Sequence, residues 1–135
     1  TSAGKNIAPA PLESAICTSD YVDQALVLGD KRNFISALIV PSFDKIKEYL
    51  KQKDKEVSSN EAIVEHLDVI ELIDNEINKF MEPFSKTEKV KKCVLLPRPF
   101  AIERGEMTPK MSIVRKVVEK NFEDQINNIY KDANK

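Results

Sequence analysis

The chain has few of the residues on which common catalytic and metal sites depend. Its 135 residues include two cysteines, one histidine, three glycines and no tryptophan. Two cysteines form no disulfide framework, and no Cys/His spacing suits zinc, so we expect no metal site. The glycines do not form a phosphate-binding loop of the Walker type, and no catalytic triad is present. We interpret the one histidine, His66, as a surface or packing residue, because no nearby Ser, Cys or Asp forms an arrangement with it.

An excess of charge of one sign is also absent. The chain has 21 basic and 22 acidic residues, so no net field draws it to nucleic acid or to a membrane surface. No apolar run approaches the roughly 18–20 residues of a membrane span. The apolar fraction of 41% and the charged fraction of 32% are typical of one globular domain. We expect Cys17 and Cys93, which lie in apolar runs, to be buried, reduced thiols of a cytoplasmic protein.

The clearest structural pattern is a β-hairpin predicted in residues 24–41. Two apolar runs flank the polar turn at residues 29–33, which contains Gly29. The second run, at residues 34–40, is interrupted only by Ser36. A strand without polar alternation is typical of a central strand that is covered on both faces.

The remaining patterns predict an α+β fold, in which helices pack on a small three-stranded mixed or antiparallel sheet. Residues 1–11 are predicted to form a glycine-containing loop or short hairpin, in which Pro9 and Pro11 prevent a helix. Ser42 is a predicted N-cap, and residues 58–61 have the capping-box pattern. The third strand is predicted at residues 90–97 and is followed by a loop at 98–109. The predicted helices are residues 12–17, 43–53, 58–67, 70–84 and 113–130.

Three polar loops concentrate small and basic residues, at positions 2–6, 30–33 and 104–116. Each loop taken alone is simply a solvated turn. Taken in order, they and the strands between them resemble the C-terminal domain of the adenylate-forming enzymes, most closely the long-chain fatty acid-CoA ligases (acyl-CoA synthetases). The motifs are SAGKNIAP at 2–9 with Leu12-Glu13, VLGDKR at 27–32 with ALIVP at 37–41, LLPRPF at 95–100, and GEMTP at 105–109 with Arg115-Lys116.

The resemblance covers essentially all 135 residues and implies that residues 1–135 are a mobile lid domain. A large N-terminal domain outside this chain would bind ATP, Mg²⁺ and the fatty acid. The lid would rotate between two half-reactions, formation of an acyl-adenylate and transfer of the acyl group to CoA. The chain alone is then expected to bind no cofactor and to be inactive. Its partners would be that N-terminal domain, the fatty acid and CoA, with no nucleic acid and no transmembrane segment. The expected location is cytoplasmic, with peripheral membrane attachment through the N-terminal domain as the alternative.

The resemblance also assigns roles to two of the polar loops. The loop that contains Ser2, Ala3, Gly4, Lys5 and Asn6 would line the tunnel through which the pantetheine thiol of CoA reaches the adenylate. The turn that carries Lys31 and Arg32 has two cations that would contact the phosphates of CoA. The alternative for this second loop is an ordinary solvated hairpin turn.

The chain departs from the family pattern at the position of the catalytic lysine. Alignment through Thr108 and Arg115 puts that position at Ser112, and a serine supplies no positive charge. Three interpretations stay open: Lys110 or, less directly, Lys116 substitutes; the first half-reaction depends less on this lysine; or the enzyme has an altered activity. If residues 110–112 are extended, Lys110 and Ser112 share one face, whereas in a helix they do not.

An alternative from a different functional class is a free-standing, non-catalytic α+β domain that serves as a binding or scaffold module. A continuous reading frame of several hundred residues before Thr1 would favour the lid. A start codon directly before Thr1 would favour the scaffold.

Overall fold

The computed structural model describes residues 8–29 and 32–131, which form six helices and three strands. Contacts divide the chain into two compact units, Thr1–Arg98 and Pro99–Lys135. The first unit contains α1 (Pro9–Ile16), β1 (Val22–Leu28), β2 (Ile35–Pro41), α2 (Phe43–Gln52), α3 (Asn60–Glu65), α4 (Leu67–Met81) and β3 (Val90–Leu95). The second unit contains α5 (Arg115–Asn121) and α6 (Glu123–Lys131).

The three strands form one mixed sheet in the order β1-β2-β3. Strands β1 and β2 are an antiparallel hairpin, in which Ala25 lies opposite Ile39. Strand β3 runs parallel to β2, with Cys93 opposite Ala37. The predicted hairpin and the α+β class with a mixed sheet are therefore confirmed. Residues 1–7 of the predicted glycine-containing loop lie outside the described residues.

Every residue of β2 is buried, which confirms that it is the central strand. Ile35, Ala37 and Ile39 face a core built with helices α1 to α4. Leu38 and Val40, which point to the other face, are also buried. Burial on both faces explains why this strand lacks the polar alternation of a half-exposed strand.

The first helix corrects the prediction for residues 1–11. Helix α1 begins at Pro9 and includes Pro11, so neither proline prevents it. The first turn of a helix has N–H groups without intrahelical partners, and proline loses nothing there. Leu12 and Ile16 are buried, as the predicted apolar face requires.

Of the two predicted N-cap residues, Ser42 is correct and Ser58 is one residue too early. Ser42 is the N-cap residue of α2, yet its side chain makes no capping hydrogen bond. The N-cap of α3 is Ser59, whose Oγ accepts a hydrogen bond from Ala62 N at 3.1 Å. The predicted capping box began one residue earlier and required Glu61 at the third helical position, so it is wrong.

Helix α4 ends at Met81, before the predicted Phe84. Its buried residues are Val69, Ile73, Ile77 and Met81, which repeat at every fourth position. Ile70 and Phe80, which belonged to the predicted stripe, are only partly buried. The predicted stripe therefore included neighbours at the margin of the true buried face.

The second unit contains two helices where the sequence predicts one. Phe122 separates α5 from α6 and has a φ of −112°. Its ring is buried and packs edge-to-face against Phe100, with centroids 6.0 Å apart. Val118, Ile126, Ile129 and Tyr130 are also buried, so the apolar stripe continues across the break.

The two cysteines are free thiols but are not both buried. Cys17 is exposed, and Cys93 is partly buried. The expectation of two buried thiols is wrong for Cys17, because its apolar neighbour Ile16 occupies the core position instead. The Cys93 thiol donates to Asp74 Oδ1 at 3.3 Å. Burial, followed by the charge of Asp74, raises the pKa of this thiol well above its usual range.

Candidate functional site

The segment that carries the family's lysine position forms a tight loop closed by backbone pairing. Met107 and Ile113 make an isolated antiparallel bridge. Inside it, Thr108 N donates to Ser112 O at 2.8 Å, and Ser112 N donates to Thr108 Oγ1 at 3.2 Å. Met111 N donates to Thr108 O at 2.8 Å. Thr108 therefore fixes the backbone of Met111 and Ser112 through three hydrogen bonds across the turn.

Lys110 and Ser112 lie on either side of a left-handed residue. Met111 has a φ of +68°, so residues 110–112 are neither an extended strand nor a helix. The alternation rule that would put Lys110 and Ser112 on one face consequently does not apply. Both residues are exposed. Lys116 is also exposed, in the first turn of α5.

A buried carboxylate supports this loop. Glu106 is fully buried, and its Oε1 accepts a hydrogen bond from Ala101 N at 3.0 Å while its Oε2 accepts one from Asn121 Nδ2 at 2.9 Å. Its backbone oxygen accepts from Val114 N at 2.8 Å, directly before α5. Glu106 therefore joins the loop, both ends of α5 and residue 101. The sequence offered no signal for this role, because Asn121 is 15 residues away.

The hairpin turn with the two predicted phosphate-binding cations is described only in part. Lys31 lies outside the described residues. Arg32 is exposed, and its backbone N donates to Gly29 O at 3.0 Å. Lys92, on the neighbouring strand β3, holds its ammonium 5.5 Å from the centroid of the Phe34 ring. Arg32 in the turn and Lys92 on β3 are thus two cationic side chains close in sequence or in space to Phe34, directly before β2.

The predicted thiol-tunnel loop, Ser2 to Asn6, lies outside the described residues. Helix α1, which follows this loop, is attached to the sheet by a hydrogen bond. Glu13 Oε2 accepts a hydrogen bond from Val27 N at 2.7 Å, at the outer edge of β1. Partial burial of the sulfur, then the charges of Glu13 and Asp23, raises the pKa of the Cys17 thiol at the end of this helix. A raised pKa means little thiolate at neutral pH, so Cys17 is a poor nucleophile.

His66 has a structural role. It is the N-cap of α4, and its Nδ1 accepts a hydrogen bond from Asp68 N at 3.1 Å. Within residues 8–29 and 32–131, no group of three or more His, Cys, Asp and Glu side chains is arranged to hold a metal ion. In the same part of the chain, no helix combines the length and apolar character needed to cross a membrane.

Comparison with known proteins gives related sequences over nearly the whole chain. The long-chain-fatty-acid–CoA ligase FadD15 of Mycobacterium tuberculosis is 33% identical over 131 residues, which cover 96% of this chain and 22% of that protein. The long-chain-fatty-acid–CoA ligase ACSBG2 of Xenopus laevis is 29% identical over 151 residues, covering 98% of this chain and 20% of that protein. The chain therefore spans about a fifth of the length of these relatives.

A solved structure and a family profile agree with these relatives. The adenylation domain of a carboxylate reductase from Mycobacterium chelonae has the same fold, with a TM-score of 0.76 at 19% identity. The match covers 96% of this chain and 19% of that one. The profile of the family described as AMP-binding enzyme C-terminal domain matches residues 1–134. The chain therefore belongs to the AMP-binding enzyme C-terminal domain family.

Proposed function

We propose that this chain is the lid domain of a long-chain fatty acid-CoA ligase. The observation that carries the proposal is the family match over residues 1–134, together with 33% identity to a protein named as such a ligase. Relatives about five times as long as this chain favour a lid, attached to an N-terminal domain, over a free-standing scaffold module. That domain would bind ATP, Mg²⁺ and the fatty acid, and CoA would accept the acyl group.

In the proposed enzyme, the lid serves two half-reactions in turn. During adenylation, a cation on the loop at 107–113 faces the acyl carboxylate and the α-phosphate, where negative charge develops. A preorganised positive charge at such a place commonly contributes about 10²–10³ in rate. During thioester formation, rotation of the lid brings the loop with Ser2, Ala3, Gly4, Lys5 and Asn6 to the pantetheine arm of CoA. A glycine at this point lets the narrow thiol arm pass close to the backbone.

Lys31 and Arg32 are proposed to contact the phosphates of CoA when the lid has rotated. The exposure of Arg32 and the position of Lys92 beside Phe34 support a positive surface at this turn. Charge-assisted hydrogen bonds to phosphate contribute about 1.5–3 kcal/mol each.

Lys110 is the proposed substitute for the missing lysine at Ser112. It is exposed and lies within the same closed turn, two residues from Ser112. Lys116 is the less direct candidate, because it lies beyond the bridge at Ile113, on α5. The left-handed Met111 sets the direction in which the chain leaves Lys110, so the lysine reaches the reacting groups from a backbone position other than the family's own.

The test is the Lys110→Ala variant of the full-length enzyme. We expect adenylation, measured by exchange of pyrophosphate into ATP, to fall by about one to three orders of magnitude. Thioester formation from supplied acyl-adenylate should change little, because the lid has then rotated the loop away. Adding Ser112→Lys to Lys110→Ala should restore part of the lost rate.

Lys116→Ala tests the less direct candidate, since it removes the same charge from the same region, and a larger loss in this variant would make Lys116 the substitute. An equal loss of adenylation in both variants would indicate a general field effect rather than a substitute residue. A silent Lys110→Ala variant, with no gain from Ser112→Lys, would show that neither position approaches the phosphate. Wild-type enzyme that forms no acyl-adenylate would overturn the proposed function itself.

A further inference from the structure

An open cleft of about 440 Å³ lies at the end of α2, in the first unit of the chain. Three lysines line it, Lys47, Lys51 and Lys55, and its apolar lining comes from Leu50 and Val57. Glu56 and Ser58 complete the lining. The volume lies within the range of about 300–1,000 Å³ that small-molecule sites occupy. The cleft shares no residue with the loop at 106–116 or with the hairpin turn.

The lysines are positioned by the local structure. Lys47 and Lys51 are one helical turn apart on the same face of α2, where two like charges repel each other. Neither side chain forms an ion pair or hydrogen bond with another residue in the described part of the chain. The ammonium group of Lys55 forms an ion pair with Asp68. An anion that bridges Lys47 and Lys51 would remove their repulsion.

The backbone carbonyl groups at the end of α2 do not compete with such an anion for the lysine ammonium groups. Leu50 O accepts hydrogen bonds from Lys53 N at 3.0 Å and from Lys55 N at 2.9 Å, and Lys51 O accepts one from Asp54 N at 3.0 Å. These last carbonyls of the helix are therefore already paired. The charged donors that line the cleft are ammonium groups.

The other lining groups define the rest of the ligand. The Glu56 carboxylate and the Ser58 hydroxyl have no hydrogen-bond partner among the described residues, and both can accept from a hydroxyl group. Val57, which is partly buried, offers an apolar surface to the body of a ligand, whereas Leu50 lies in the core beneath the cleft. The three features together suit a phosphate carried beside hydroxyl groups, with an apolar portion attached.

We propose that this cleft binds a phosphate ester of a polyol, either the ribose phosphate of a nucleotide or the glycerol phosphate headgroup of a lipid. Lys47 and Lys51 bind the phosphate oxygens, and Lys55, whose charge is paired with that of Asp68, borders the site. Glu56 accepts a hydrogen bond from a hydroxyl of the ribose or glycerol. This site is additional to any nucleotide site in an N-terminal domain.

The experiment is titration of the isotopically labelled 135-residue chain with AMP, followed by backbone amide resonances. We expect saturable shifts at residues 47–58 and none of that kind with adenosine, which lacks the phosphate. Lys51→Gln should weaken AMP binding by about tenfold, the loss expected for one charge-assisted hydrogen bond. Lys47→Gln should act in the same direction.

Lys45→Gln is the matched control, because Lys45 is also exposed on α2 but does not line the cleft. Its effect should stay below about threefold, the size of a screened surface charge. A second arm measures sedimentation with vesicles of phosphatidylcholine and phosphatidylglycerol. Saturable, Lys51-dependent binding to AMP alone assigns the nucleotide, and to vesicles alone assigns the headgroup. Equal losses for Lys45→Gln and Lys51→Gln, or no saturable binding in either arm, would overturn the proposal.

Discussion

Asp54 occupies a backbone conformation that usually belongs to glycine. Its φ is +59°, directly after the end of α2. Lys55 N donates to Leu50 O and Asp54 N donates to Lys51 O, the pair of bonds of a Schellman motif with Asp54 as its left-handed residue. The aspartate also puts a negative charge near the negative end of the helix dipole. This position is therefore mildly strained in the native chain.

We expect Asp54→Gly to raise the free energy of unfolding by about 0.5–1 kcal/mol, because glycine adopts the left-handed conformation without a Cβ clash. Urea denaturation of the chain measures the change. Lys53→Gly is the matched control: Lys53 has a φ of −94°, where glycine only adds freedom to the unfolded chain, so stability should fall. A loss of stability in both variants would contradict the strain argument.

Glu106 needs two acceptor oxygens, which no other side chain of its shape supplies. Glu106→Gln replaces one oxygen by an NH₂ group, which then faces a donor on either Ala101 N or Asn121 Nδ2. We expect the free energy of unfolding to fall by about 1–3 kcal/mol, the cost of one unsatisfied buried group. Thermal unfolding and urea denaturation measure it.

Asn121→Asp combined with Glu106→Gln provides the rescue. The carboxylate introduced by Asn121→Asp would accept a hydrogen bond from the amide introduced by Glu106→Gln, so the double variant should regain part of the loss. A double variant no better than the sum of the two single changes would show that Glu106 and Asn121 do not act as a pair.

At the scale of elements, Glu13 attaches α1 to the edge of the sheet. Val27 N donates to Glu13 and therefore points away from β2. In an antiparallel pair every second residue points its N–H in the same direction, so the N–H of Ala25 also points away from β2. Among the strands of the described residues, β1 is the outermost on that side of the sheet. An unpaired strand edge invites association with other chains, and a helix that covers it is a common protection.

We expect Glu13→Ala to lower the free energy of unfolding by about 1.5–3 kcal/mol, the range for a hydrogen bond to a charged group. Glu13→Gln should cost less, because its amide oxygen still accepts from Val27 N. Glu48→Ala, an exposed carboxylate on α2, is the control and should stay within about 0.5 kcal/mol. If Glu13→Ala matches the control in urea denaturation, Glu13 does not hold α1 in place.

The sequence predicted the elements better than their ends and their faces. The hairpin and the central strand could be predicted because a continuous apolar run indicates a buried strand, whichever elements pack on it. The predicted start of helix α1 is too late, because a proline in the first turn of a helix does not break it. The break between α5 and α6 at Phe122 could not be predicted, because no glycine or proline lies there. It depends on tertiary packing of that ring, which periodicity does not contain.

At the site, the loop at 107–113 likewise has some features that the sequence predicts and others that depend on tertiary contacts. The sequences of the motifs and their order along the chain predicted the family, and the match over residues 1–134 agrees. The left-handed turn at Met111 and the buried carboxylate of Glu106 could not be predicted, because both depend on contacts across the loop. The roles of Lys110 and Ser112 therefore stay predictions for the full-length enzyme.

At the scale of the whole molecule, the proposed lid should catalyse nothing alone. The chain spans about a fifth of the length of its relatives, and in the proposed enzyme ATP and the fatty acid bind outside it. We expect the purified chain to release no pyrophosphate from ATP in the presence of palmitate. Mixing it with a separately produced N-terminal domain should restore measurable acyl-adenylate formation. Turnover by the chain alone would contradict the lid assignment.

The parallel pairing of β2 with β3 has a consequence for the order of events during synthesis. The hairpin closes over a short turn, which takes microseconds once both strands have left the ribosome. Its partner β3 begins only at Val90, after all of α2, α3 and α4. At about 5–20 residues per second, β2 waits on the order of seconds with one edge unpaired. Every residue of this strand is buried in the finished fold, so the nascent chain is most prone to aggregate during that interval.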